Sequence, residues 1–205
     1  MRARASADAP AVDVALKEWS LICDALMTGE HIAIARKGGV RDAKGAFRLE
    51  RRHFALFPTN FHADVAGAPE GTRAGDMKAG ESVSMRLTAT ATRAWRVPAS
   101  SAEACFALFS ESSGWPKDLF AKRANFKPSN EVTVVELRAY EVADALTLPP
   151  DEQRYGGCKS WINIDSWRPA NVRAVLSDEE FAEKSSALGR DLAALGATEI
   201  DVTNA

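Results

Sequence analysis

Apolar positions along the chain follow two rhythms. Between Val12 and Met27 they recur at Val12, Leu16, Trp19, Ile22, Cys23, Leu26 and Met27, a spacing that predicts one helix, and Gly29 follows where a C-terminal glycine ends such a run. The rhythm then shortens. Ile32 and Ile34 alternate within His31 to Arg36, a short strand that Lys37-Gly38-Gly39 terminates. His53 to Phe57 is aromatic and apolar, predicting a buried strand closed by Pro58. From Glu81 to Thr92 the alternation is clean: Val83, Met85, Leu87, Ala89 and Ala91 face a core, while Ser82, Ser84, Arg86, Thr88, Thr90 and Thr92 face water or a ligand.

In the second half, Ser100 and Ser101 cap a short helix ending near Phe109, and Trp115-Pro116 opens another running to about Arg123. Val132 to Val142 reads as a strand with Glu136, Arg138 and Tyr140 on one face and Val135, Leu137 and Ala139 on the other. A cross-strand salt bridge on an exposed face accounts for Glu136 and Arg138. After Pro149-Pro150 comes a last strand, Lys159 to Ile164, and then Ser177-Asp178-Glu179-Glu180, a capping box leading an amphipathic helix through Phe181, Leu188 and Leu192. Residues 66–80 are rich in Gly and Ala around Pro69, with little apolar surface to bury, and read as a mobile insertion dispensable for folding. The elements together predict a single α+β domain over 12–195: a mixed, largely antiparallel sheet or partly closed barrel with flanking helices, and tails at 1–11 and 196–205.

Bulk properties narrow the function classes. With 205 residues, 46% hydrophobic, the chain is long enough to bury one ordinary core. Its 26 basic and 28 acidic residues leave a net charge of -2, so no global field draws nucleic acid or an anionic membrane, and any affinity for polyanions is local. The three cysteines, Cys23, Cys105 and Cys158, are odd in number and widely spaced, which argues against a disulfide framework or zinc ribbon and for a cytoplasmic home. No stretch approaches the ~18 to 20 apolar residues of a membrane span, and no apolar leader follows Arg2 and Arg4.

The chemistry is concentrated in short islands: Ala15-Leu16-Lys17-Glu18-Trp19, Arg36-Lys37-Gly38-Gly39 with Arg41 behind it, Phe57-Pro58-Thr59 with His62, and Gly157-Cys158-Lys159-Ser160-Trp161. Cationic donors beside glycines suit phosphate or carboxylate, although a solvated basic turn has the same composition and no Gly-x-x-x-x-Gly-Lys-Ser/Thr loop is present. His53, Thr59 and His62 share a segment with a Pro bend, but two histidines make a poor metal site and no standard ligand spacing appears. Cys158 beside Lys159 invites a lowered thiol pKa; a small side chain filling a buried space at a Gly156-Gly157 turn is the plainer reading. Glu136-x-Arg138 lacks the clustered carboxylates of metal-dependent nucleases. Trp19, Trp95, Trp115, Trp161 and Trp167 offer stacking faces, with core packing as their commoner fate.

Taken in order, ALKEW, RKGG, the aromatic strand ending in LFPT, the downstream histidine and GCKSW resemble a bacterial family catalogued as domain of unknown function 1802, over roughly Ala15 to Phe181. In that pattern the histidine is often followed by Gln, where this chain has His62-Ala63. The resemblance implies relatives and no reaction. More weakly, a helix followed by Gly29, His31 and Arg36 is similar to the opening of small PUA-like barrels of the activating-signal-cointegrator-homology kind. Their Gly-x-Lys and Glu-x-Arg keep Gly29 and Arg36 here, whereas His31 and Ile34 replace the Lys and Glu, so this second resemblance implies a fold alone.

The expected function is therefore a binding module for an anionic ligand, a nucleotide or nucleic-acid segment, held by Arg36, Lys37, Gly38, Gly39, Arg41, His53, Thr59, His62, Arg123, Lys159, Ser160 and Trp161, with Lys127 nearby and Arg36, Lys37 and Lys159 on one positive surface. The alternative is a hydrolase using Cys158 with a histidine, or a metal-assisted phosphodiesterase using His53 and His62. No cofactor, catalytic residue or oligomeric state is legible.

Overall fold

The computed structural model describes residues 10–37, 47–59, 81–113, 121, 123–125, 130–157 and 159–203. Gly38, Gly39, Arg41, His62, Lys127 and Cys158, the expected helix opening at Trp115-Pro116, and the stretch 66–80 lie outside the described residues.

The chain runs β1 (Val12–Trp19), α1 (Ser20–Thr28), β2 (Ala33–Arg36), β3 (His53–Thr59), β4 (Val83–Val97), a 3-10 turn (Ala99–Ser101) leading α2 (Ala102–Ser113), β5 (Val132–Leu148), α3 (Glu152–Tyr155), β6 (Trp161–Trp167), β7 (Val172–Ala174), α4 (Asp178–Ala194) and β8 (Thr198–Ile200). Eight strands form one mixed sheet in the order β2-β5-β4-β3-β1-β6, with β7 added to β5 and β8 to β4. The pairing of β1 with β3 is parallel and the other ladders are antiparallel, so the expected α+β architecture with a largely antiparallel sheet is what forms. The sheet is not closed into a barrel, since its path ends at β2 on one side and β6 on the other.

The first element corrects the sequence reading. Val12 to Trp19 is a strand, and the helix begins only at Ser20. β1 lies between β3 and β6 and is buried on both faces: Val14 and Leu16 enter the larger core, Val12 and Ala15 a smaller one shared with Phe57, Met85 and Ile162. A strand with two apolar faces shows no alternation, so Val12, Leu16 and Trp19 imitate helical spacing. Gly29 does end α1, in the left-handed region at φ 74°, with its N–H on the Leu26 carbonyl.

β3 runs through Pro58 because its pairing with β4 stops at Ala55, so the missing N–H costs that ladder nothing. In β4 the five expected core residues are buried; on the opposite face Ser84 and Arg86 are exposed, but Thr88 is buried and Thr90 and Thr92 half-buried. A register shift between Ala91 and Arg93 lets Thr92 Oγ1 donate to the Glu136 carboxylate at 2.6 Å. Glu136 is 1% exposed and makes no salt bridge with Arg138. Arg138 instead anchors the start of α4, donating to the carbonyls of Leu176 (2.8 Å) and Ser177 (3.1 Å) and to Asp178 (2.7 Å). The exposed-face pairing expected from the sequence fails because α4 covers that face.

The capping box of α4 is complete: Ser177 Oγ accepts from Glu180 N at 3.2 Å, and the Glu180 carboxylate accepts from Ser177 N at 2.8 Å. Beyond α4, within the stretch read as a tail, β8 pairs with Ala94, Trp95 and Arg96 of β4, and Val202 is buried in the larger core.

Candidate functional site at the seam between the sheet ends

β1 carries Val14, Leu16 and Glu18 toward the same core, so the strand's own period drives a carboxylate into an apolar setting, where it is 2% exposed. A buried charge must be paired and hydrogen-bonded. Glu18 Oε2 accepts from Arg36 Nη1 at 2.8 Å, Oε1 accepts from the Trp19 backbone N–H at 2.8 Å, and Arg123 Nη2 lies 3.6 Å from Oε1. Thr59 Oγ1 donates to the Glu18 carbonyl at 3.3 Å. Burial pushes the Glu18 carboxyl up, but Arg36, Arg123 and the Trp19 amide outweigh it and hold the group below its ordinary value.

Arg36, at the end of β2, is the stitch. Its Nη1 also donates to the Lys17 carbonyl at 2.8 Å, and Nη2 to Ser160 Oγ at 3.2 Å, just before β6. One guanidinium therefore spans from one end of the strand path to the other, and the sheet edges meet through side chains where no backbone ladder joins them. An arginine suits this role because its planar fork serves several acceptors at once. Aromatic rings seal the seam: Arg36 lies over Phe47 (5.4 Å), Phe47 stacks on Trp161 (6.0 Å), and Trp161 meets Phe54 edge-on (5.0 Å) while donating Nε1 to the Arg48 carbonyl at 2.9 Å.

Two further cations adjoin. Arg123 lies over Trp19 at 4.2 Å and over Phe106 at 5.9 Å, its side chain 18% exposed. Lys37 is 4% exposed and donates to the Ala124 carbonyl. Burial lowers the pKa of both, and for Arg123 the nearby Arg36 adds to that. Arg36 and Arg123 thus set two positive charges against one carboxylate, and the buried ammonium of Lys37, next to Arg36 in sequence, turns to the Ala124 carbonyl instead. Between Glu18, Ile22, Ile34, Phe106, Phe109 and Arg123 the free space is only about 10 Å³, the size of a single water site. A larger ligand would meet the cluster from its outer side.

Of the residues expected from sequence, Arg36, Lys37, Thr59, Arg123, Ser160 and Trp161 come together here. Arg36, however, spends its donors on the protein itself. Lys159 follows Gly157 into the seam but points its ammonium at the Arg154 carbonyl, at 3.5 Å. His53 stands at the other end of β3, its Nδ1 2.8 Å from Thr90 Oγ1. The residue sequence reasoning passed over is Glu18; the available signal was an acid in phase with Val14 and Leu16.

The described cysteines are ill suited to nucleophilic chemistry. Burial pushes the Cys105 thiol up to about 12 and Cys23 well above the usual range, where Glu18 raises it further. Among the described residues, no three His, Cys, Asp or Glu side chains group closely enough to hold a metal ion. No described helix is long and apolar enough to cross a membrane.

No curated protein matches the chain. Two solved structures are similar to it: a mutant ZmASCH protein from Zymomonas mobilis, at 10% identity and TM-score 0.41 over 85% of this chain and 94% of that one, and ASCH from the same organism, at 11% identity and TM-score 0.36 over 84% and 93%. A family model matches residues 15–187, from the strand of Lys17 and Glu18 into helix α4, and the chain belongs to that family: Domain of unknown function (DUF1802).

Proposed function

We propose that the seam binds an anionic ligand, a nucleotide or a segment of nucleic acid, and that the protein is a binding module. One observation carries this reading: two guanidinium groups, Arg36 and Arg123, meet the single buried carboxylate of Glu18, in surroundings where burial lowers the pKa of Arg123. An excess of buried positive charge is costly in isolation and is relieved by a bound anion. Arg123 is the group best placed to give that contact, since it sits 3.6 Å from Glu18 and retains some exposure, whereas Arg36 is bonded to Glu18, Lys17 and Ser160. Half-exposed Trp19, beneath the Arg123 guanidinium, adds a flat face for a base.

The experiment is a titration of mononucleotides and short single-stranded oligonucleotides against the wild type, Arg123→Ala and Cys158→Ser at low salt. The expected result is binding that Arg123→Ala weakens about tenfold, the loss of one charge-assisted contact, with Cys158→Ser unchanged. Absence of binding across the panel, or a loss confined to Cys158→Ser, overturns the reading; the latter result favours the Cys158 hydrolase.

A further inference from the structure

At the end of the sheet away from the seam, β1, β3 and β6 leave a second, open recess. The parallel register sets Trp19 opposite Thr59 and Ala15 opposite Ala55, so β3 carries His53 about 20 Å from Thr59 at ~3.3 Å per residue. There Asp13 of β1, Arg51, Arg52 and His53 at the start of β3, and Ser166 of β6 line a cavity of about 380 Å³. That volume lies within the range of small-molecule sites, roughly 300 to 1,000 Å³.

We propose that this cavity is a separate anion site, which takes the terminal phosphate of a small phosphorylated molecule through Arg52 and His53. Both groups are held by the sheet. Arg52 Nε donates to the Ala91 carbonyl at 3.3 Å, which fixes the side chain and leaves its terminal nitrogens for a ligand. His53 Nδ1 is engaged by Thr90 Oγ1 at 2.8 Å, which leaves Nε2 as the ring's second hydrogen-bonding atom. Arg51 meets Asp13 only at 3.9 Å, between side chains 55% and 64% exposed, a weak pair that a phosphate displaces.

Charge favours a terminal phosphate over a diester. Arg51 and Arg52 against Asp13 leave one net positive charge, and a proton on His53 makes two, matching the second charge of a monoester, which ionises near pH 6. Partial burial and Arg52 lower the His53 pKa. A bound dianion acts in the opposite sense, so phosphate binding draws a proton onto the ring. This site is independent of the seam, and Arg123 has no part in it.

The chain has three histidines, of which His31 is buried, so the imidazole NMR signals are few, and His53→Gln identifies the one in question. The experiment follows that signal with pH in inorganic phosphate and in chloride at equal ionic strength. It then measures affinity for ribose 5-phosphate and for an oligonucleotide without a terminal phosphate. The expected result is a His53 pKa raised by about half a unit or more in phosphate alone. Ribose 5-phosphate should bind, about tenfold more weakly to Arg52→Ala and about threefold more tightly to Asp13→Asn. Identical titrations in phosphate and chloride overturn the proposal, as does an Arg52→Ala protein that binds like the wild type. Equal binding of the oligonucleotide overturns the terminal-phosphate assignment.

Discussion

Glu18 shows how much a single buried charge organises. Its carboxylate meets Arg36 at 2.8 Å and Arg123 at 3.6 Å, and removing one partner leaves a charge in the core with too few donors. Breaking a buried pair in this way costs about 3–5 kcal/mol, so Arg36→Ala should lower unfolding stability by that order in a denaturant titration. Arg36→Lys should recover only part of it, because an ammonium cannot fork among Glu18, Lys17 and Ser160. Since the folded Glu18 pKa is depressed, its stabilisation is complete above the ordinary value of 4.5 and is lost as pH falls through the folded value. His31 acts over a higher range: burial lowers its pKa from 6.5, so the unfolded chain takes up the proton first and stability falls as pH drops below that value. His31→Gln should flatten the stability profile between about pH 7 and pH 5, measured by denaturant midpoints. Residue types beside glycine picked out Arg36, Ser160 and Trp161, which the fold brings together at the seam. The partner that fixes what Arg36 does was not legible, because the Glu18–Arg36 contact joins two strands that are consecutive in the chain but separated by three others in the sheet.

At the scale of elements, local rules read well where a segment has one wet face or a self-contained cap. The core-facing positions from Val83 to Ala91, the stop at Gly29 and the box at Ser177 all appear as expected, since each is decided within a few residues. β1 was misread because its helical spacing is an accident of burial on both faces, which only its neighbours β3 and β6 impose. Two substitutions test the caps. A Cβ at Gly29 would stand 2.6 Å from Leu176 Cδ2 on backbone at φ 74°, so Gly29→Ala should destabilise by about 1–3 kcal/mol, more than an open turn would allow. Ser177→Ala removes the acceptor for Glu180 N and should cost about 1 kcal/mol. Thermal or denaturant unfolding of the two variants gives both figures, and a neutral Gly29→Ala would mean that Leu176 and the turn relax freely.

For the whole molecule, the fold class was written in the order of strands and helices, but the approach of the two sheet ends was not. It depends on Arg36 of β2 reaching the Lys17 carbonyl and Ser160, a contact that no local pattern encodes. The same approach brings two guanidinium groups to one carboxylate in a molecule whose net charge is -2, so the proposed affinity for nucleic acid is local to the seam and does not arise from a general field. The most direct measurement of that claim is the salt dependence of single-stranded oligonucleotide affinity for the wild type and Arg123→Ala. If the seam holds phosphate through Arg123, log affinity falls linearly with log salt, and the slope is shallower in the variant by about 0.7, the contribution of one phosphate contact. A wild-type affinity indifferent to salt, or equal slopes in the two proteins, would contradict it.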